Sequence, residues 1–228
     1  MTWNIHGALG RNARYDLART LEIIKEWQPD VVALQEVDSR RRDSGLGDPF
    51  RFLQAGLGEH GIGAKSIETT DGEYGQMLVS RWPIAGAEVH DISWPEREPR
   101  RAIRADIATP FGPLRVVATH LGLSFSERDV QTRKLLDLVD AGPSTTVLLG
   151  DFNDWFWAGS VRGPLADALP SRTRHRTFPA ICPLFRLDRI YCRPPGIIVG
   201  SFVDKRARSV SDHLAVIADV RVVADTAP

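Results

Sequence analysis

Val147-Leu148-Leu149-Gly150-Asp151-Phe152-Asn153 is the stretch on which the reading of this chain turns. Its apolar run reads as a strand buried on both faces, and it ends in an acid and an amide where packing asks for neither. Similar short apolar runs with polar ends recur on both sides of it. Residues 2–5 carry Asn4 with His6 just beyond, and residues 31–36 end in Gln35-Glu36. Residues 76–80 are closed by Trp82-Pro83, residues 187–191 open beside Asp188, and the last run, 213–223, follows Ser211-Asp212. Residues 104–108 and 114–119 read as a hairpin around Phe111-Gly112-Pro113. Between these runs lie helical spacings. Residues 15–27 place Leu17, Leu21, Ile24 and Trp27 on one face before Gln28-Pro29 stops them. Residues 50–57 and 127–139 are the other two. Alternation of this kind predicts a layered α/β fold, with the site just past the carboxyl ends of the strands.

Composition sets the bounds. The chain has 228 residues, 43% of them apolar, which is enough for one sizeable core; a single domain over residues 1–228 is expected. No repeat, low-complexity tract or linker divides it. Lys+Arg and Asp+Glu are both 29, so no global positive charge marks it for nucleic acid. Local runs remain: Arg40 to Arg42, then Arg97, Arg100, Arg101 and Arg104, then Arg172, Arg174 and Arg176. Cys182 and Cys192 are too few to staple the fold, so free thiols and a reducing cytoplasm are expected, and zinc is not. No apolar stretch approaches the ~20 residues of a membrane helix, and the first residues carry neither a basic nor an apolar leader segment.

The polar residues at the strand ends make sense together. Glu36, Asp151, Asp188 and Asp212 brought to one rim would repel each other and lose hydration unless a cation sat among them. Carboxylate and amide oxygens suit Mg²⁺ or Mn²⁺. His120 and His213 beside such a cation point to proton transfer to, or charge stabilisation at, a phosphoryl centre. Residues alone therefore predict a metal-assisted hydrolase of phosphate esters.

The order Trp-Asn-Ile-His-Gly, Gln-Glu-Val, Gly-Glu-Tyr-Gly-Gln-Met-Leu-Val-Ser-Arg, Thr-His-Leu, Gly-Asp-Phe-Asn, Leu-Asp-Arg-Ile-Tyr, Ser-Asp-His resembles the endonuclease/exonuclease/phosphatase superfamily from Asn4 to His213. The resemblance implies a four-layer α/β sandwich of two stacked mixed β-sheets flanked by helices. It implies Glu36 as principal metal ligand, with Asn4 beside it and Asp212 as a further candidate. Asp151 and Asn153 would orient and activate water, and His213, held by Asp188, would stabilise the developing charge. His120 would be the second histidine, Tyr74 a phosphate-binding tyrosine and Arg101 a substrate-binding arginine. His6 stands where repair nucleases tend to carry Asp, and a structural role, or one supporting the residues that touch substrate, is expected for it in place of a catalytic one. Only Met1, Thr2 and Trp3 precede the Asn4 motif, where relatives usually carry a longer strand.

The substrate is less sharply indicated. Between Asp151 and Asp188 lie 36 residues, little room for the insertions that grip a duplex. A phosphodiesterase or phosphatase acting on a small or lipid-like phosphate ester is therefore the leading expectation, with a Mg²⁺-dependent DNA or RNA nuclease second. A non-catalytic binding module is third, and it conflicts with a complete constellation. A membrane surface would enter only through a lipid substrate, and a monomer is expected. Trp155-Phe156-Trp157 reads as a packed plug or, if exposed, as a stacking or interfacial platform.

Overall fold

The computed structural model describes residues 1–10, 14–40, 45–140, 143, 145–155 and 159–224. Within them, two six-stranded mixed sheets lie face to face with helices outside. The first sheet runs β11 (Ile198–Asp204), β12 (Ala215–Val220), β1 (Thr2–Asn4), β2 (Val31–Asp38), β4 (Gly72–Ser80), β3 (His60–Thr69). The second runs β5 (Ile84–Asp91), β6 (Arg101–Thr109), β7 (Gly112–His120), β8 (Thr145–Asp151), β10 (Asp188–Arg193), β9 (Ser171–Arg172). Each has one parallel pair near its centre, β1 with β2 and β7 with β8; the other neighbours are antiparallel.

Side-chain alternation builds the layers. On β8, Val147 and Leu149 face the space between the sheets, while Leu148 faces outward against α3 (Phe125–Asp140) and α4 (Arg162–Ala168). On β2, Ala33 faces the inter-sheet core, while Val32 and Leu34 pack with Ile23 and Ile24 of α1 (Leu17–Trp27) and Leu53 of α2 (Pro49–Leu57). Both faces of the central strands are dry, as their continuous apolar runs predict. The four-layer sandwich is therefore observed.

Helix ends follow their sequence signals. Asp16 caps α1 by accepting from Arg19 N, and Gln28 closes it in the left-handed region. Asp48 caps α2, with Pro49 in its first turn. Several strands run further than the sequence predicts. β2 continues past Glu36 to Asp38 through a register shift between Leu34 and Val37, and β4 begins at Gly72. Cys182 is exposed, Cys192 buried, and both are free. No helix among the described residues is long and apolar enough to cross a membrane.

Candidate active site

The two parallel pairs end at the same rim, and their last residues meet there. Asn4 ends β1, and its Nδ2 donates to Glu36 Oε1 at 2.8 Å and to Asp151 Oδ2 at 2.9 Å. Glu36 sits in the β2 bulge at φ +56°, a left-handed conformation that turns its carboxylate out of the strand alternation and onto the rim. Asp151 ends β8 with its Cα opposite His120 of β7 on one side and Asp188 of β10 on the other. It is 1% exposed, and its Oδ1 accepts from Asn153 N at 2.9 Å. Asn153 is also left-handed, at φ +46°, and its Nδ2 donates to Leu121 O.

Two histidines face Asp151 from opposite sides, in opposite charge states. His213 Nδ1 lies 2.8 Å from Asp188 Oδ2, and its Nε2 is 3.8 Å from Asp151 Oδ2. Burial opposes a charge on His213, but the carboxylates of Asp188, Asp151 and Asp212 outweigh it and raise its pKa. Burial also pushes Asp188 up; the pair holds one proton, placed on the ring between two acids. His120 is the reverse case. Burial first and the Arg100 guanidinium second bring it down to about 4. Arg100 Nη1 is 3.0 Å from His120 Nδ1 and Asn153 Nδ2 is 3.2 Å from its Nε2, so donors face both ring nitrogens, and Nε2 also lies 3.6 Å from Asp151 Oδ2.

Donor atoms gather in two places. One oxygen or nitrogen each of Asp151, Asp188 and His213 lies within 4.8 Å of the others, close enough to share a metal ion. The second gathering is around His6. Its Nδ1 is 3.5 Å from Glu36 Oε2 and 3.6 Å from Asp212 Oδ1. The hydrogen bond to Glu36, against burial, raises His6; burial pushes Glu36 up, but the same contact with His6 and the bond from Asn4 outweigh it and hold Glu36 at about 2. Asp212 Oδ1 is buried with no hydrogen-bond partner among the described residues. Both carboxylates thus converge on the His6 ring.

Several sequence expectations shift in detail. Asn4 is placed beside the acids, but its Oδ1 accepts from His6 N at 3.0 Å; its amide spaces Glu36 from Asp151 instead of offering oxygen to a cation. Arg101 turns to Asp91 at 2.6 Å and to Ser93, while the neighbouring Arg100, 7% exposed, reaches His120. Tyr74 lines a cavity of about 210 Å³ with His6, Glu36, Asp38, Arg40 and Glu98. Burial, then Glu36 and Glu98, push its phenol well above the usual range, so it stays protonated. His6, expected to be structural, lies between two of the acids. Trp155 stands edge-on to Phe178 and Phe185, and Phe178 packs at 4.8 Å from the His213 ring. Phe156, Trp157, Arg41 and Arg42 lie outside the described residues.

Known proteins share this plan. A protein of Escherichia coli (strain K12), YbhP, is 28% identical over 243 aligned positions covering 97% of this chain and 95% of its own. An endonuclease/exonuclease/phosphatase structure from Beutenbergia cavernae is 25% identical, with a TM-score of 0.78 over 98% of this chain and 71% of that one. The Bacteroides thetaiotaomicron mannosyl-6-phosphatase Bt3783 shares the fold at 16% identity, with a TM-score of 0.72 over 97% of this chain and 98% of its own. The profile of the Endonuclease/Exonuclease/phosphatase family matches residues 1–213, which takes in every site residue from Asn4 to His213, and the chain belongs to that family.

Proposed function

We propose that this chain is a phosphoesterase that attacks phosphorus with a water molecule oriented and activated by Asp151 and Asn153. One observation carries the reading: the buried Asp151 carboxylate lies 3.8 Å from Nε2 of His213, which Asp188 raises and aligns, and 3.6 Å from Nε2 of His120, which burial and Arg100 lower. An acceptor between a charged donor and a neutral imidazole is what general-base attack on a phosphate ester needs. Asp151 Oδ2 takes the proton as the water oxygen bonds to phosphorus. The ester P–O bond breaks on the far side; the alkoxide leaves with the bonding pair and takes a proton from solvent, and Asp151 afterwards returns its own proton to solvent. The His213 imidazolium, aligned by Asp188, donates to the phosphoryl oxygens as charge grows on them. Arg100, packed on His120, supplies a second donor flank, and the Tyr74 phenol donates from the cavity wall.

The residues also fit a hard divalent cation. Glu36, held ionised, and the unpartnered Asp212 Oδ1 are oxygen donors of the kind Mg²⁺ or Mn²⁺ prefers, and they would hold it. When bound, such an ion neutralises phosphoryl charge and polarises the P–O bonds.

Hydrolysis of bis-p-nitrophenyl phosphate, p-nitrophenyl phosphate and supercoiled plasmid, each with Mg²⁺, Mn²⁺ or EDTA, tests the reading. Metal-dependent release of nitrophenol is expected, and Asp151→Asn should lower it at least about 100-fold with an unchanged far-UV CD spectrum. Turnover that survives EDTA, or an Asp151→Asn protein retaining most activity, would remove the mechanism. Plasmid nicking faster than ester cleavage would make the substrate a polynucleotide.

A further inference from the structure

Two cavities flank the site, with His6 in the wall of both, and they differ in chemistry. The first, of about 210 Å³, is lined by charged groups and Tyr74. The second, of about 310 Å³, shares His6 and Asp212 with the site but has Leu9, Pro179, Ala180 and Ile181 along its walls. Its size lies at the lower end of small-molecule pockets. The wall is anchored to the site: Ala180 N donates to Asp212 O at 2.7 Å, and Leu214 N donates to Thr177 O at 2.9 Å. The trough is therefore held in fixed relation to the carboxylates beside it.

Its lining selects among phosphate esters. A nucleobase needs an aromatic face to stack on and a cationic track for the next phosphates. The trough has an aliphatic wall of Leu9, Pro179, Ala180 and Ile181; among the described residues no Phe, Tyr or Trp lines it, and Arg208 is the one arginine, with Asp212 in the same lining. The neighbouring loops present apolar tips to water as well. Ile181 and Leu184 are each 57% exposed, and Leu123, three residues beyond His120, is 66% exposed.

We propose that the trough seats the apolar chain of an amphiphilic phosphate ester, so that the substrate class is a lipid-like phosphoester carrying an aliphatic arm beside the scissile phosphate. The proposal rests on phosphoester hydrolysis at Asp151. Burial of each methylene contributes about 0.8 kcal/mol, which is about fourfold in affinity or in kcat/KM until the trough is full.

Methyl and octyl p-nitrophenyl phosphate, both below their aggregation limits and with Mg²⁺, are the probes. The octyl ester should be favoured in kcat/KM by at least about tenfold, and Ile181→Asp should bring the octyl-to-methyl ratio within about threefold of one. Val199→Asp, on an equally exposed apolar residue of β11 outside the trough, should leave the ratio alone. Calorimetric binding of octylphosphonate against methylphosphonate gives the same comparison without turnover. Both esters cleaved with no preference for the chain, or a preference that survives Ile181→Asp, would overturn the trough and leave the hydrolase standing. Tighter octylphosphonate binding that needs Ile181, with neither ester cleaved, would overturn the hydrolase and leave the trough.

Discussion

His120 is kept neutral by burial and by a guanidinium 3.0 Å from its Nδ1, and this has a consequence for stability. With a folded pKa of about 4 against 6.5 unfolded, the unfolded chain takes up the proton first as pH falls. The stability it contributes is complete above about pH 6.5 and is lost between 6.5 and 4. Glu36 acts in the same direction lower down: its folded pKa of about 2 against 4.5 means stability present above 4.5 and lost as pH falls toward 2. The urea midpoint should therefore decline on acidification from pH 6.5. His120→Asn should flatten the 6.5-to-4 segment, whose limiting slope is about 1.4 kcal/mol per pH unit for one proton. An unchanged slope would mean the ring is already charged when folded. The side chains at this scale were largely legible: Asn4, Glu36, His120, Asp151, Asn153, Asp188, Asp212 and His213 all reach one rim. Arg101, expected to bind substrate, pairs with Asp91 and Ser93 while its neighbour Arg100 reaches His120, and both line one small pocket with Tyr74; which partner each of two adjacent arginines takes is a detail that sequence alone does not supply.

At the scale of elements, the eight strands inside the two sheets were readable and the four edges were not. β3, β5, β9 and β11 are the outermost strands, and none carries a long apolar run, since glycines or polar residues interrupt each. β5 is also exposed along most of its length. The bulge in β2 was also hidden: an alternating reading ends the strand at Glu36, whereas the left-handed residue there lets pairing resume at Val37. One inner feature can be tested. Gly150 has φ +151°, and a Cβ there would fall 1.9 Å from Thr119 O on β7, one residue before the His120–Asp151 pairing. Gly150→Ala should cost about 3 kcal/mol or more and sharply reduce turnover, because the β7–β8 spacing sets the distance between His120 and Asp151. Gly86→Ala on β5, where a Cβ meets nothing within 4 Å, is the control and should stay within about 0.5 kcal/mol. Equal thermal midpoints for the two variants would refute the close-approach argument.

At the scale of the molecule, a cation held by the folded site and not by the unfolded chain stabilises the whole sandwich by mass action. At a hundredfold excess over its dissociation constant the gain is about 2.7 kcal/mol. Adding Mg²⁺ or Mn²⁺ after EDTA treatment should raise Tm, and Glu36→Gln should shift that gain, and the half-activity concentration, to higher metal. A Tm indifferent to metal in both proteins would place the ion elsewhere or nowhere. The layered plan itself was legible because both faces of the central strands are apolar, whereas the apolar trough depends on loops meeting from distant parts of the chain.

Asn4 and Glu36 belong to the first sheet, with His213 just ahead of its β12; His120, Asp151 and Asp188 belong to the second. Asn4 Nδ2 spans them, one bond to Glu36 and one to Asp151. The amide works as a gauge block between two plates, and its two bonds are satisfied only at one setting of plate against plate. Loosening of one sheet over the other should therefore end catalysis while each sheet still keeps its own hydrogen bonds.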